Sequence, residues 1–280
     1  MPFSGVPFGL LSALSFGAGD FAGAVAARRA GALVTVAGAH GAGLLALLVA
    51  LVVIRPTAPD GSGIALGIAA GVAGAIGLAA LYRGMSLGAM GLVTALSGAG
   101  SLVLPLAAGA AAGTMVAPLQ LAGVAAIGGA AVAASGATRS ELGRRALLLA
   151  ALAAVAFGAW YVLIDLAARN ADPLWALVLS RATSAGLTAA AVIGRVRRDD
   201  LPVRIIVAAG LFDVGGNVLY VLAREAMPVG LAAALTGCYP IVTMLLARTV
   251  LGERLPRLGQ VGVVLAILGV VLISVGAAPA

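Results

Sequence analysis

Residues 230–271, GLAAALTGCYPIVTMLLARTVLGERLPRLGQVGVVLAILGVV, decide how this chain is read: an apolar run broken by Pro240, a short polar loop at Gly252-Glu253-Arg254, then a second apolar run rich in glycine. A fainter copy stands 139 residues earlier, where Gly91, Ala95, Leu96, Gly98, Gly113 and Gly123 precede Gly230, Ala234, Leu235, Gly237, Gly252 and Gly262, and Ser97 precedes Thr236. The openings of the two halves align as well, at an offset of 141, with Phe16-Gly17 over Phe157-Gly158 and His40 over Arg181. Self-similarity at a fixed offset means one design used twice, and it governs the reading of every other feature.

Working outward, apolar runs recur along all 280 residues. With 62% hydrophobic and 10% charged residues and a mean hydropathy of +1.15, the chain lies in the membrane class. The runs divide into ten spans near 6–27, 32–54, 62–82, 89–112, 117–136, 145–168, 173–194, 203–223, 229–251 and 257–276, each about the 20 residues a bilayer core requires. They are twice the length of membrane strands and do not alternate, so helices must satisfy the backbone internally. The expected fold is an all-α integral membrane protein of ten transmembrane helices.

A linker at 138–145 separates residues 1–137 from residues 146–280, five spans each. An odd number of crossings per unit turns the second unit over, so the expected architecture is two inverted five-helix repeats, with any binding site near the midplane between them. The N-terminal run has no basic residue before it and reads as a retained span rather than a cleaved leader.

The net charge of +7 would point to nucleic acid in a soluble protein. Here most arginines sit at span ends, so the expected partner is the lipid bilayer, with no role for nucleic acid. All 17 basic residues are arginine, which fits a GC-rich, bacterial source and a cytoplasmic (inner) membrane location. The single cysteine, Cys238, excludes an intrachain disulfide and a cysteine metal site. No metal and no cofactor is expected. No Gly-x-x-x-x-Gly-Lys loop exists to drive transport with ATP. One histidine and no nucleophile beside a base leave an enzyme's site checklist almost empty, so the chain is read as no enzyme.

Ionisable groups inside a span cost about 2.5 to 3.5 kcal/mol at the helix centre and mark function by default. Asp20 and His40 flank the first turn at similar depth and are placed to pair. Asp165 and Arg181 flank the turn at 170–173 and read as the corresponding ion pair, and Asp20, His40 and Asp165 are the candidate proton or ion relay. Asp213, Asn217 and Tyr220 follow one another at i, i+4 and i+7, a polar stripe on one face of the eighth span. With Arg181, the deep aromatics Trp160 and Tyr161, and Tyr239 beside a proline, they form the candidate substrate-binding set. Pro105 and Pro240 sit inside the fourth and ninth spans and kink them, as gate hinges or as packing devices. Gly63, Gly67 and Gly71 form a small-residue ladder for helix packing. Arg248, a turn from its span end, snorkels to the headgroups.

Leu251-Gly252-Glu253-Arg254 followed by Gln260, Gly262 and the Ala266–Ile273 run resembles the repeat ending of the EamA family of the drug/metabolite transporter superfamily. Phe157-Gly158-Ala159-Trp160 is similar to its repeat opening, and Arg181 to an arginine on a repeat's second helix. The first half departs from the pattern, with Thr114 in place of the loop glutamate and His40 in place of the arginine. The resemblance implies ten helices in two repeats and export of small metabolites such as amino acids, or of toxic compounds and drugs in exchange for protons. A carboxylate substrate would suit Arg181, and a cationic one Asp213 or Asp20. A non-transporting assembly or sensor subunit is the alternative of a different class. A duplicated chain supplies both halves of a pore, so a monomer is expected to suffice.

The family is usually drawn with both termini in the cytoplasm. The arginines read otherwise: the odd-numbered loops carry twelve, including Arg28, Arg29, Arg144, Arg145, Arg197 and Arg198, and the even-numbered loops only Arg55, Arg169 and Arg224. Positive charge inside would put the odd loops in the cytoplasm and both termini outside.

Overall fold

The computed structural model describes residues 5–87, 90–113, 115–137, 141–170, 172–194, 201–226 and 235–276. Residues 229–234 of the ninth span, Thr114, and Arg195, Arg197 and Arg198 lie outside them. The described chain is helical throughout and contains no strand: α1 (Val6–Ala30), α2 (Ala32–Ile54), α3 (Gly61–Ser86), α4 (Met90–Gly100), α5 (Val103–Ala111), α6 (Pro118–Ala137), α7 (Glu141–Arg169), α8 (Pro173–Val192), α9 (Val203–Ala226), α10 (Tyr239–Leu251) and α11 (Arg257–Gly276). α4 and α5 together make one crossing, Met90–Ala111. Seven such segments are long and apolar enough to cross a membrane, and three shorter apolar helices, in α6, α10 and α11, make ten. The chain is a multi-pass membrane protein.

Local chemistry sets the helix ends. Asp60 caps α3 by accepting from the Gly63 N–H at 2.6 Å, and that bond, with one from the Ser62 hydroxyl, holds its carboxyl below the usual range. Asp172 caps α8 through the Leu174 N–H at 2.8 Å, with Pro173 at the first helical position, where its missing N–H costs nothing. α10 ends where Gly252 turns left-handed (φ 68°), and the N–H groups of Gly252 and Glu253 both return to the Ala247 carbonyl. α7 begins at Glu141, inside the stretch expected as linker.

The fourth and ninth spans are interrupted rather than merely bent. At Ser101–Leu102 the hydrogen-bond ladder shifts to three-residue spacing, Leu102 N–H to Ala99 O at 3.2 Å. At Gly237–Cys238 it does the same, Cys238 N–H to Leu235 O and Ile241 N–H to Cys238 O. Pro105 and Pro240 follow these breaks by a few residues, inside the next helical segment.

Packing alternates between the halves of the chain. α3 lies against α7 and α8, α1 against α9 and α10, α2 against α8 and α9, and α6 against α11. Small residues make these approaches possible: a Cβ on Gly71 would stand 2.6 Å from the Ser180 carbonyl oxygen, backbone that cannot step aside. Gly123 and Gly269 do the same for α6 and α11, each Cβ position 2.8 Å from the other's carbonyl oxygen. One large core cluster gathers the C-terminal halves of α1 and α3 with the start of α4 and the first half of α7, centred on Tyr82, Met85, Met90 and Ala150, all essentially unexposed. Glu253 sits at the edge of this end, its carboxyl pushed up by burial against the opposing pull of Arg28 and the Met90 backbone N–H at the start of α4.

Candidate functional site

Beside that cluster, between the two halves of the chain, lies a cavity of about 340 Å³. Its walls come from the middle of α1, α2, α3, α7, α8 and α9 and from both interrupted spans, which contribute Gly98, Ser101 and Pro105 on one side and Thr236, Gly237 and Tyr239 on the other.

The structure brings most of the sequence-selected residues to this one place. Asp20, His40, Trp160, Tyr161, Arg181, Asp213, Asn217, Tyr220, Tyr239 and Pro105 all line the cavity. Pro240, beside Tyr239 in α10, is buried and does not line the cavity, and Asp165 is elsewhere.

Two expected pairings are corrected. Arg181 does not pair with Asp165: its Nη2 lies against Oδ2 of Asp213, joining α8 to α9. Asp165 instead bonds Arg169 one turn along its own helix, 2.7 Å, with both side chains more than half exposed. That is a surface pair of small energetic weight. Asp20 does not pair with His40 either. His40, 4% exposed, is hydrogen-bonded through Nδ1 to the Ser184 hydroxyl of α8 at 2.5 Å, because α2 packs chiefly on α8 and α9. The carboxylate of Asp20 has no hydrogen bond and no ion pair with a described residue, and it lies close enough to Asp213 for their charges to interact.

The polar stripe of α9 is partly folded back on its own helix: Asn217 Nδ2 donates to the Asp213 carbonyl at 2.8 Å. Trp160 is held in place by its Nε1–H donating to the Ser180 hydroxyl at 3.0 Å and by an edge contact with Tyr161, ring centres 5.2 Å apart. Phe16, one turn before Asp20, meets Tyr239 across the cavity at 6.2 Å. Thr236 Oγ1 is buried in the wall without a hydrogen-bond partner.

Sequence reasoning passed over Ser180 and Ser184, the hydroxyls that fix Trp160 and His40. Their signal was present: Ser180, Arg181 and Ser184 share one face of α8 at i, i+1 and i+4, on a helix otherwise mostly apolar. No group of three or more metal-ligating side chains stands together among the described residues.

The fold and the site together define a polytopic α-helical membrane protein with a charged, aromatic-walled cavity between its two halves. Residues 144–275, the second half of the chain, match the EamA-like transporter family. No curated protein matches it by sequence. A solved crystal structure, titled only as that of a protein, superposes with a TM-score of 0.65 at 16% identity over 98% of both chains. At that identity the likeness establishes the shared fold, over the whole length.

Proposed function

We propose that the chain is a secondary transporter that exports a small metabolite, such as an amino acid or a drug-like compound, by alternating access between two inverted five-helix repeats, residues 1–137 and 146–280. The observation that carries the reading is the cavity itself, bounded at one end by the packed cluster around Tyr82 and Met90 and lined by a buried ion pair, Arg181 with Asp213. Intramembrane charges facing a cavity mark a substrate pathway.

The helix pairings support the repeat. Exchanging each helix for its counterpart turns α3 on α7 into α9 on α1, α3 on α8 into α9 on α2, and α4 on α7 into α10 on α1, and all six contacts exist. α2 with α8 and α6 with α11 map onto themselves. Interrupted spans in corresponding helices of two halves, both facing the cavity, are a recurring build of transporter sites.

The arginine bias supports odd loops in the cytoplasm of a bacterial inner membrane. The packed cluster then lies at the cytoplasmic side, and the cavity faces outward. One chain is the working unit.

The test is flux of a labelled amino-acid and metabolite panel in proteoliposomes, with and without an imposed pH gradient. Gradient-dependent accumulation of one compound is the outcome expected of a proton-coupled carrier, and equilibration regardless of the gradient would mean a facilitator. No flux of any compound, with a partner chain retained on gentle extraction, would replace the reading with an assembly subunit. Labelling of Ala137→Cys from outside by an impermeant thiol reagent, in a Cys238→Ser background, would reverse the orientation.

A further inference from the structure

Each ionisable group in the cavity has a different degree of engagement, and the balance is not zero. Arg181 is spent on Asp213. His40 is closed off by Ser184. Asp20 alone faces the cavity with no hydrogen bond and no ion pair from a described residue. Tyr82, Tyr161 and Tyr239 stand near enough to feel its charge, but none offers it a hydrogen bond.

The walls around this carboxylate are aromatic out of proportion. The chain has twelve aromatic residues, and six of them, Phe16, Phe157, Trp160, Tyr161, Tyr220 and Tyr239, line this one cavity. Ring faces carry negative potential and attract cations, most strongly when water is excluded. A carboxylate with no positive partner in such a wall favours whatever neutralises it, a proton or a cation. An anionic substrate would have to displace Asp213 from Arg181 and would meet Asp20 unscreened.

Building on the transport reading, we infer that the substrate is an organic monocation with an apolar body, an amine or quaternary ammonium, whose positive centre sits at Asp20 among the rings of Phe16 and Tyr239. Asp213 serves to hold Arg181 and does not take the cation. A cavity of about 340 Å³ suits a small amphipathic molecule.

The inference is tested by equilibrium binding in nanodiscs, without a gradient, of three probes of matched shape: benzyltrimethylammonium, its neutral carbon isostere neopentylbenzene, and the anion phenylacetate. The wild type should bind the ammonium at least about tenfold tighter than the isostere and phenylacetate least of all. Asp20→Asn should abolish that preference, Asp20→Glu should keep most of it, and Asp165→Asn should leave it unchanged. Equal affinity for ammonium and isostere, a preference for phenylacetate, or a preference that survives Asp20→Asn overturns the inference.

Should Asp20→Asn fail to fold, labelling of wild-type Asp20 by dicyclohexylcarbodiimide, read by mass spectrometry, replaces it. The ammonium should slow labelling severalfold and the isostere should not; equal protection overturns the inference. Asp20-dependent binding with no flux in proteoliposomes would sink the transport reading and leave the site. Flux of a neutral or anionic compound with no ammonium preference would do the reverse.

Discussion

The two ends of the same helices are built on opposite plans. At one end α1, α3, α4 and α7 close on Tyr82, Met85 and Met90 with hardly any accessible surface. A few turns away the same helices draw apart around Asp20, Trp160 and the Arg181–Asp213 pair. Glycine and alanine make the closed end, letting backbones meet. At the other end Trp160, Tyr161, Arg181 and Asp213 face the cavity. The contrast teaches that whether these helices meet or leave a cavity turns on which side chains they present at each depth.

The largest effect on that contrast should come from Arg181→Ala. It leaves Asp213 buried without its partner, at about 3–5 kcal/mol, seen as a large fall in melting temperature in detergent and loss of flux. Pairing it with Asp213→Asn should restore most of the stability while flux stays absent; no recovery would mean that the two side chains are not coupled. Tyr82→Ala attacks the packed end and should cost about 3 kcal/mol, in the range of core aromatic truncations, while ammonium preference in binding is retained.

Ser184→Ala frees His40 at the cavity wall and should cost about 1–2 kcal/mol, seen as a smaller fall in melting temperature than for Arg181→Ala or Tyr82→Ala.

Smaller still is Glu253→Gln, at the edge of the packed end. Because burial raises the folded carboxyl's pKa above its ordinary value of 4.5, the folded state favours the protonated form. That contribution is present below the unfolded value and lost as pH rises through the raised one. The wild type should therefore lose melting temperature relative to Glu253→Gln as pH climbs from about 4.5, by a few degrees at most. A difference that widens as pH falls would contradict the burial of this group. Asp165→Asn, on neither end's machinery, should change stability by less than about 0.5 kcal/mol.

The apolar helices and most of the residues that line the cavity were legible in the chain because a bilayer imposes length and apolarity on every span, and a stray charge stands out against that background. Partners were less legible, because they depend on depth and neighbour choice. Asp165 lies five residues from the turn at Asn170, about 7 Å, whereas Arg181 lies eight residues into α8, about 12 Å. Asp213, ten residues into α9, matches Arg181 in depth from the other side, and Arg169 was nearer to Asp165 on its own helix. Asp20 and His40 both line the cavity, but adjacency in sequence did not give adjacency in packing. Two prolines marked the broken spans, yet the breaks themselves fall at Ser101–Leu102 and Gly237–Cys238, where the ladder tightens a few residues before each ring.

Those breaks give the bundle a short lever. α5 has nine residues beyond its break, an arm of about 13 Å, so a swing of roughly 20° at Leu102 carries its tip through about 5 Å, close to the span of an aromatic ring. Rotation at such a joint twists torsion angles that already depart from the regular ladder. A motion of that size would resize the rim by about one ring, whereas the Gly123–Gly269 approach between α6 and α11 lies outside the lever.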